Sequence, residues 1–173
     1  LGVVTLVDAE TGTPTRFSVG FQVNAASFRP GTDELILSGP DAAYVVSVDG
    51  TGLRKLVEDP AWLDQYSISP DGSLLAYATW VDNVAEGRIH VVDIASGIER
   101  PIDFDPGVDW TDLVPGFTPD GEALLVERHD QNGYKPTILP LDGGAPVPMG
   151  PYHASSTGGA GVAWPARIWS LTT

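Results

Sequence analysis

Cysteine is absent from these 173 residues. That excludes disulfide staples, thiolate zinc sites and a cysteine nucleophile, and leaves the compartment open. Basic residues are scarce: nine Lys and Arg stand against 23 Asp and Glu, a formal net charge of −14. Such a chain repels a nucleic-acid backbone at long range. Its acidity serves solubility first and a cationic partner second. No apolar run approaches the roughly 18 residues a helix needs to cross a bilayer, and no signal peptide is visible. The chain opens Leu1-Gly2-Val3 without an initiating Met, the start expected of a processed or excised segment.

What is present is turn-forming. Twenty Gly and 15 Pro accompany 42% hydrophobic and 18% charged residues, a globular composition with many chain reversals. It suits an all-β chain of short strands.

The turns recur in register. Ser69-Pro70-Asp71-Gly72 stands between Tyr66-Ser67-Ile68 and Leu74-Leu75-Ala76-Tyr77. Thr118-Pro119-Asp120-Gly121 stands between Gly116-Phe117 and Ala123-Leu124-Leu125-Val126. Arg29-Pro30-Gly31-Thr32-Asp33 is a looser copy, and Trp164-Pro165 before Arg167-Ile168-Trp169 a decayed one. Proline presets φ, Asp bonds its own backbone and Gly accepts a positive φ. With alternating apolar residues on both sides, the motif predicts a hairpin. Its spacing of about 40 to 50 residues is that of a propeller blade. A second turn recurs in step, at Asp8–Gly12, Asp49-Gly50, Ser96-Gly97 and Asp142-Gly143-Gly144. Each unit therefore predicts an inner strand, the Pro-Asp-Gly turn, a second strand, a longer loop, a third strand, an Asp/Gly turn and an outer strand.

This pattern resembles the PD40 repeat of TolB-like propellers, best over residues 65–102, then over 112–149 and 24–57. The Gly-His and Trp-Asp dipeptides of the WD repeat do not occur. The resemblance implies an all-β propeller of four-stranded antiparallel blades, outside the cytoplasm (periplasmic, secreted or cell-surface), with a partner-binding role. It carries over no recognition residues, because the motif itself is structural. Blades are expected over about 22–58, 63–104 and 111–149, with 160–173 and 1–20 sharing a closing blade that removes open edges. The alternatives are a fragment of a larger ring and a ring completed by a second chain.

No enzyme signature stands out. A Gly-x-Ser-x-Gly elbow, a His-Glu-x-x-His pair and a Walker loop are all missing. No cofactor is called for. Thr157-Gly158-Gly159-Ala160-Gly161 lacks the Lys of a phosphate loop and reads as a connection. Asp130-Gln131-Asn132-Gly133 lacks the terminal Glu of a Ca²⁺ loop. Asp105, Asp109 and Asp130 are weak metal candidates beside the reading of a solvated acidic loop. His90 reads as a packed or rim histidine.

In a four-stranded meander the inter-blade loops share one face with the second-to-third-strand loops. That long-loop face receives Trp62, Asp64, Trp110, Asp112, His129, Tyr134, Tyr152 and His153, the candidate binding residues. Aromatics on long loops are where a rigid scaffold carries recognition. The competing role for Trp62 and Trp110 is to plug the spaces between blades. The reading is a non-enzymatic module for a protein, peptide or small ligand. Two alternatives are the propeller of a prolyl-oligopeptidase-like peptidase, without its catalytic domain, and the sensor domain of a membrane-anchored anti-sigma factor or kinase.

Overall fold

Alternating apolar residues set between Pro, Asp and Gly turns fold as antiparallel strands. The computed structural model describes residues 2–58, 66–81, 84–102, 116–130 and 133–151, and only the backbone at 79–81, 84–88, 127–130 and 134. β1 (Gly2–Val7) and β2 (Pro14–Val19) form a hairpin. Blade I is β3 (Ala25–Phe28), β4 (Glu34–Ser38), β5 (Ala42–Ser47) and β6 (Arg54–Glu58). Blade II is β7 (Tyr66–Ile68), β8 (Leu74–Val81), β9 (Val84–Asp93) and β10 (Glu99–Ile102). Blade III is β11 (Gly116–Phe117), β12 (Ala123–Asp130), β13 (Gly133–Pro140) and β14 (Val147–Pro148). Each blade is a four-stranded antiparallel sheet in chain order. The all-β, bladed architecture is borne out.

The Pro-Asp-Gly motif closes the first hairpin of blades II and III. Gly72 N–H donates to Ser69 O (2.8 Å) and Ser69 N–H to Leu74 O (2.9 Å). Gly121 and Thr118 repeat the pattern. Pro takes the first central position, and the glycine that follows sits in the left-handed region, at φ 72° in Gly72 and 75° in Gly121.

The longer loop expected between second and third strands is replaced by strand. β8 and β9 reach Val81 and Val84, and β12 and β13 reach Asp130 and Gly133, so a polar pair is all that separates each pair of strands. His129 and Tyr134, expected in a loop, face each other as a cross-strand pair, and Asp130 pairs with Gly133. Backbone pairing continues to the tip because it satisfies amides and carbonyls that a loop would leave to water. Gly133, at φ 119°, accommodates the reversal. Blade I is shorter there: Gly39-Pro40-Asp41 joins β4 to β5, with Gly39 N–H on Ala42 O at 2.8 Å.

Strand alternation gives the blades two apolar faces, and three seams bury such faces against a neighbour. Val4 and Val19 of the β1–β2 hairpin pack on Leu35, Leu37 and Val46. The opposite face of blade I, with Ile36, Val45 and Val57, packs on Leu75, Tyr77 and Val92 of blade II. A bulge at Leu56, between the pairs Ala43–Val57 and Tyr44–Lys55, lets Leu56 and Val57 both enter that seam. Ala76, Ile89 and Val91 then pack on Leu124, Val126 and Leu139 of blade III. A fully buried Leu, Ile or Val contributes about 1.5–3 kcal/mol, so the seams dominate cohesion. β7 and β11 touch, which identifies the first strand of each blade as the inner one. The partners expected for β1 and β2, at 161–164 and 167–171, lie outside the described residues.

Arginines tie the seams at their rims. Arg54 Nη2 donates to Ile94 O (2.6 Å), and Arg100 Nη2 to Leu141 O (3.3 Å), each reaching from an outer strand to the next blade. Arg29 Nε donates to Gly72 O (2.7 Å), so the turn of blade I is bonded to that of blade II. Gly72 also lies so close to Pro30 O that a Cβ would collide with that carbonyl, whereas Gly121 meets only Pro70 Cδ, at 3.7 Å. Gly121→Ala is therefore predicted to cost about 1 kcal/mol, the penalty of the left-handed conformation. Gly72→Ala should cost about 2 kcal/mol or more through the added collision. Urea unfolding of both variants checks the order, and equal losses would remove Gly72 from the seam.

Candidate binding surface

The two ends of the blades differ chemically. At the end carrying the Pro-Asp-Gly and Asp/Gly turns, the carboxylates are engaged by their own turns. Asp71 Oδ1 accepts from Ser69 Oγ (2.6 Å), Ser73 N–H (3.0 Å) and Ser73 Oγ (2.8 Å). Asp120 accepts from Thr118 Oγ1 and Glu122 N–H, Asp93 from Ser96, Asp49 from Thr51, and Asp8 from Glu10 and Thr11. The hydrogen bond from Ser69, followed by those from Ser73, holds the Asp71 carboxyl down to about 2. Local hydrogen bonds likewise lower Asp8, Asp49, Asp93 and Asp120. The acidity of this end is thus built into turn closure. Among the described residues no three His, Asp or Glu side chains converge on a possible metal position. Asp105 and Asp109 lie outside those residues, and Asp130 is described by its backbone alone.

A second polar cluster lies within the seam between blades I and II. Tyr77 and His90 stack with ring centroids 5.1 Å apart and planes 14° apart. Tyr77 Oη donates to Glu99 Oε1 (2.8 Å), and His90 Nδ1 approaches the same oxygen at 2.5 Å. Burial, then the Glu99 acceptor, pushes the Tyr77 hydroxyl well above the ordinary phenol range. A phenol that holds its proton and is only 2% exposed is a strut for the sheet, with no access for substrate. Tyr66 plays a similar part, donating to Ser27 Oγ (3.0 Å) and Ile36 O (3.2 Å) of blade I. Its own proton is also held more tightly by burial. His90 is a packed histidine, as its strand position implied.

The other end is where blades II and III extend. β7 pairs with β8 only at Leu75–Tyr77 and β10 with β9 only at Ile89–Val92. The hairpin therefore runs on past both of its neighbours. In blade III, β11 and β14 likewise leave β12 and β13 to continue as a pair beyond Val126 and Thr137. His129 and Tyr134 lie on this extension. Trp62, Asp64, Trp110, Asp112, Tyr152 and His153 lie outside the described residues. The chain leaves β6 and β10 and enters β7 and β11 at this same end, so residues 59–65 and 103–115 begin and finish there.

An aromatic pair that the turn motifs did not signal marks the loop end of blade I. Phe21 and Tyr44 stack at 4.0 Å and 18°. They lie against Gly39, where a Cβ would meet Phe21 at 3.0 Å and Tyr44 at 3.2 Å. Asn24 Nδ2 donates to Gly39 O (3.2 Å), fixing the chain that enters β3. The available signal was Gly39-Pro40 opposite a lone aromatic in an otherwise aliphatic strand.

No family model and no curated protein matches the chain. Solved structures do. TolB of Acinetobacter baumannii is 15% identical with a TM-score of 0.64, over 88% of this chain and 39% of that one. A putative TolB of Agrobacterium tumefaciens is 20% identical with a TM-score of 0.63, over 87% and 55%. The fold is propeller-like. A puromycin-hydrolysing peptidase of Mycobacterium tuberculosis shares it at 17% identity and a TM-score of 0.62, over 86% of this chain and 27% of the peptidase. At these identities the likeness shows the fold alone, and the propeller described here spans well under two thirds of each of those proteins.

The turn-end carboxylates predict an acid response. Because the pKa of Asp71 is depressed in the folded state, its stabilisation is present above its ordinary value of 3.8 and disappears as pH falls towards about 2. Asp71 is exposed, and solvent screening limits the effect to about 0.5 kcal/mol. Asp71→Asn should lower the urea midpoint at neutral pH and match the wild type near pH 2. A difference that persists unchanged across that window would contradict the assignment.

Proposed function

We propose that this propeller is a non-enzymatic binding module, working outside the cytoplasm, that engages a protein, peptide or small ligand through its loop end. One observation carries the reading: the middle hairpins of blades II and III extend past their neighbours at that end, whereas the turn end is occupied by its own hydrogen bonds. Long hairpins and connecting segments on a rigid scaffold are the usual carriers of recognition. Trp62, Trp110, Asp64 and Asp112 belong to connections that begin and finish there, and Tyr152 and His153 follow β14. The likeness to TolB supports the extracytoplasmic setting. Among the described residues no helix is long and apolar enough to cross a membrane.

A second reading, the propeller of a larger hydrolase, is favoured by the peptidase match, in which this chain corresponds to 27% of the enzyme. A catalytic domain would then lie elsewhere in the parent protein, and a hydrolase sequence flanking this segment would support it.

Panning a displayed peptide library on the chain tests the binding reading. Selected peptides are expected to lose about tenfold or more in affinity, about 1.4 kcal/mol, on a Trp62→Ala, Trp110→Ala variant. They should bind Asp120→Asn, at the turn end, unchanged. Loss on the turn-end variant, or no loss on the tryptophan variant, would move the site elsewhere.

A further inference from the structure

An Asp-Gly step is a reactive place in a chain, because glycine puts no side chain in the way of its own nitrogen. That nitrogen can attack the aspartyl carboxyl carbon. A C–N bond forms, the carboxyl hydroxyl and the amide proton leave as water, and a five-membered succinimide results. Water then adds to one of the two imide carbonyls and reopens the ring as aspartate or isoaspartate, with no net change in mass. Two restraints oppose the first step. One is a hydrogen bond that holds the glycine N–H, and the other is a set of hydrogen bonds that keeps the carboxylate ionised and unreactive.

Four such steps occur, at Asp49-Gly50, Asp71-Gly72, Asp120-Gly121 and Asp142-Gly143. The first three carry both restraints. Gly50 N–H donates to Ser47 O (2.8 Å), Gly72 N–H to Ser69 O (2.8 Å) and Gly121 N–H to Thr118 O (2.9 Å). A hydroxyl clamps each carboxylate: Thr51 on Asp49 (2.6 Å), Ser69 on Asp71 (2.6 Å) and Thr118 on Asp120 (2.5 Å). Those hydroxyls are the first cause that lowers all three carboxyls from their ordinary range. Packing adds to the restraint, since a Cβ on Gly50 would lie 2.6 Å from Phe17 Cβ and one on Gly72 would collide with Pro30 O.

Asp142-Gly143 is the repeat counterpart of Asp49-Gly50. Val48 N–H donates to Asp33 O and Leu141 N–H to Glu122 O, both at 2.9 Å and both one residue before the aspartate. Gly144 stands in the place of Thr51. Among the described residues no hydroxyl reaches the Asp142 carboxylate, which accepts from Gly144 N–H (2.9 Å), and Gly143 N–H makes no close hydrogen bond. The glycines of the other outer turns look back at the preceding sheet, Gly50 onto Phe17 and Gly97 towards Leu56 O at 3.9 Å. Gly143 correspondingly looks back at blade II, and nothing lies within 4 Å of where its Cβ would be. Asp142 and Gly143 are both exposed.

We infer that Asp142 is the aspartate that isomerises to isoaspartate in the folded protein, while the turns of Asp49, Asp71 and Asp120 protect theirs. The change adds one methylene to the main chain in the turn that joins β13 to β14. Leu141, its neighbour, belongs to the rim of the seam between blades II and III, because its carbonyl accepts from Arg100 Nη2 (3.3 Å). Isomerisation therefore loosens that rim. It is independent of ligand capture at the loop end.

Ageing the folded chain at neutral pH, followed by electron-transfer fragmentation of its peptides, reads isoaspartate residue by residue. Isoaspartate is expected to accumulate at Asp142 about tenfold or more faster than at the other three, where hydrogen bonds have to break first. In urea the four rates should converge, because the turns are gone. Gly144→Thr, which restores the residue of blade I, should slow the reaction at Asp142 with an unchanged far-UV circular dichroism spectrum. Equal rates at the four sites in the folded chain, a spread that persists in urea, or a folded Gly144→Thr variant that ages as fast as the wild type would each overturn the inference.

Discussion

A sheet that is apolar on both faces cannot be completed by its own residues, since each face has to be covered by another sheet. That constraint organises this protein. Leu35, Ile36 and Leu37 are consecutive in β4 and all buried, because alternate members enter opposite seams. The same division separates Leu75 from Ala76 and Val91 from Val92. The arginine ties and the close approach of Gly72 to Pro30 follow from it, since they occur where stacked sheets bring their rims together.

Stacking also separates structural from available chemistry. Within the seams, tyrosine hydroxyls find partners in the sheets: Tyr66 reaches Ser27 and Ile36, and Tyr77 reaches Glu99. At the turn end, carboxylates accept from the amides and hydroxyls of their own turns. At the loop end the middle hairpins of blades II and III outrun their neighbouring strands. The propeller-like fold is shared by proteins of unrelated activity.

Local features were legible in the sequence and distant ones were not. The Pro-Asp-Gly and Asp/Gly turns revealed strand order, because each turn is decided by adjacent residues and a hydrogen bond across three positions. The arginine ties were invisible. Arg54 bonds a backbone carbonyl 40 residues away, and a carbonyl has no side-chain signature. The sequence reads the extended hairpins as loops because polar stretches such as Glu127–Asp130 do not by composition distinguish strand from connection. Of the candidate site, His129 and Tyr134 fall together by strand register. Trp62, Trp110, Asp64, Asp112, Tyr152 and His153 stand between or after repeats in the sequence and lie outside the described residues.

The central claim is that the seams couple the blades into one cooperative structure. Native-state hydrogen exchange in increasing denaturant tests it most directly, read at the amides of Leu35–Leu37, Leu75–Tyr77 and Leu124–Val126. If the seams couple the blades, these amides exchange through one shared global opening, with a common free energy and denaturant dependence. Three separate openings, one for each blade, would show that the sheets stand independently and would contradict the account.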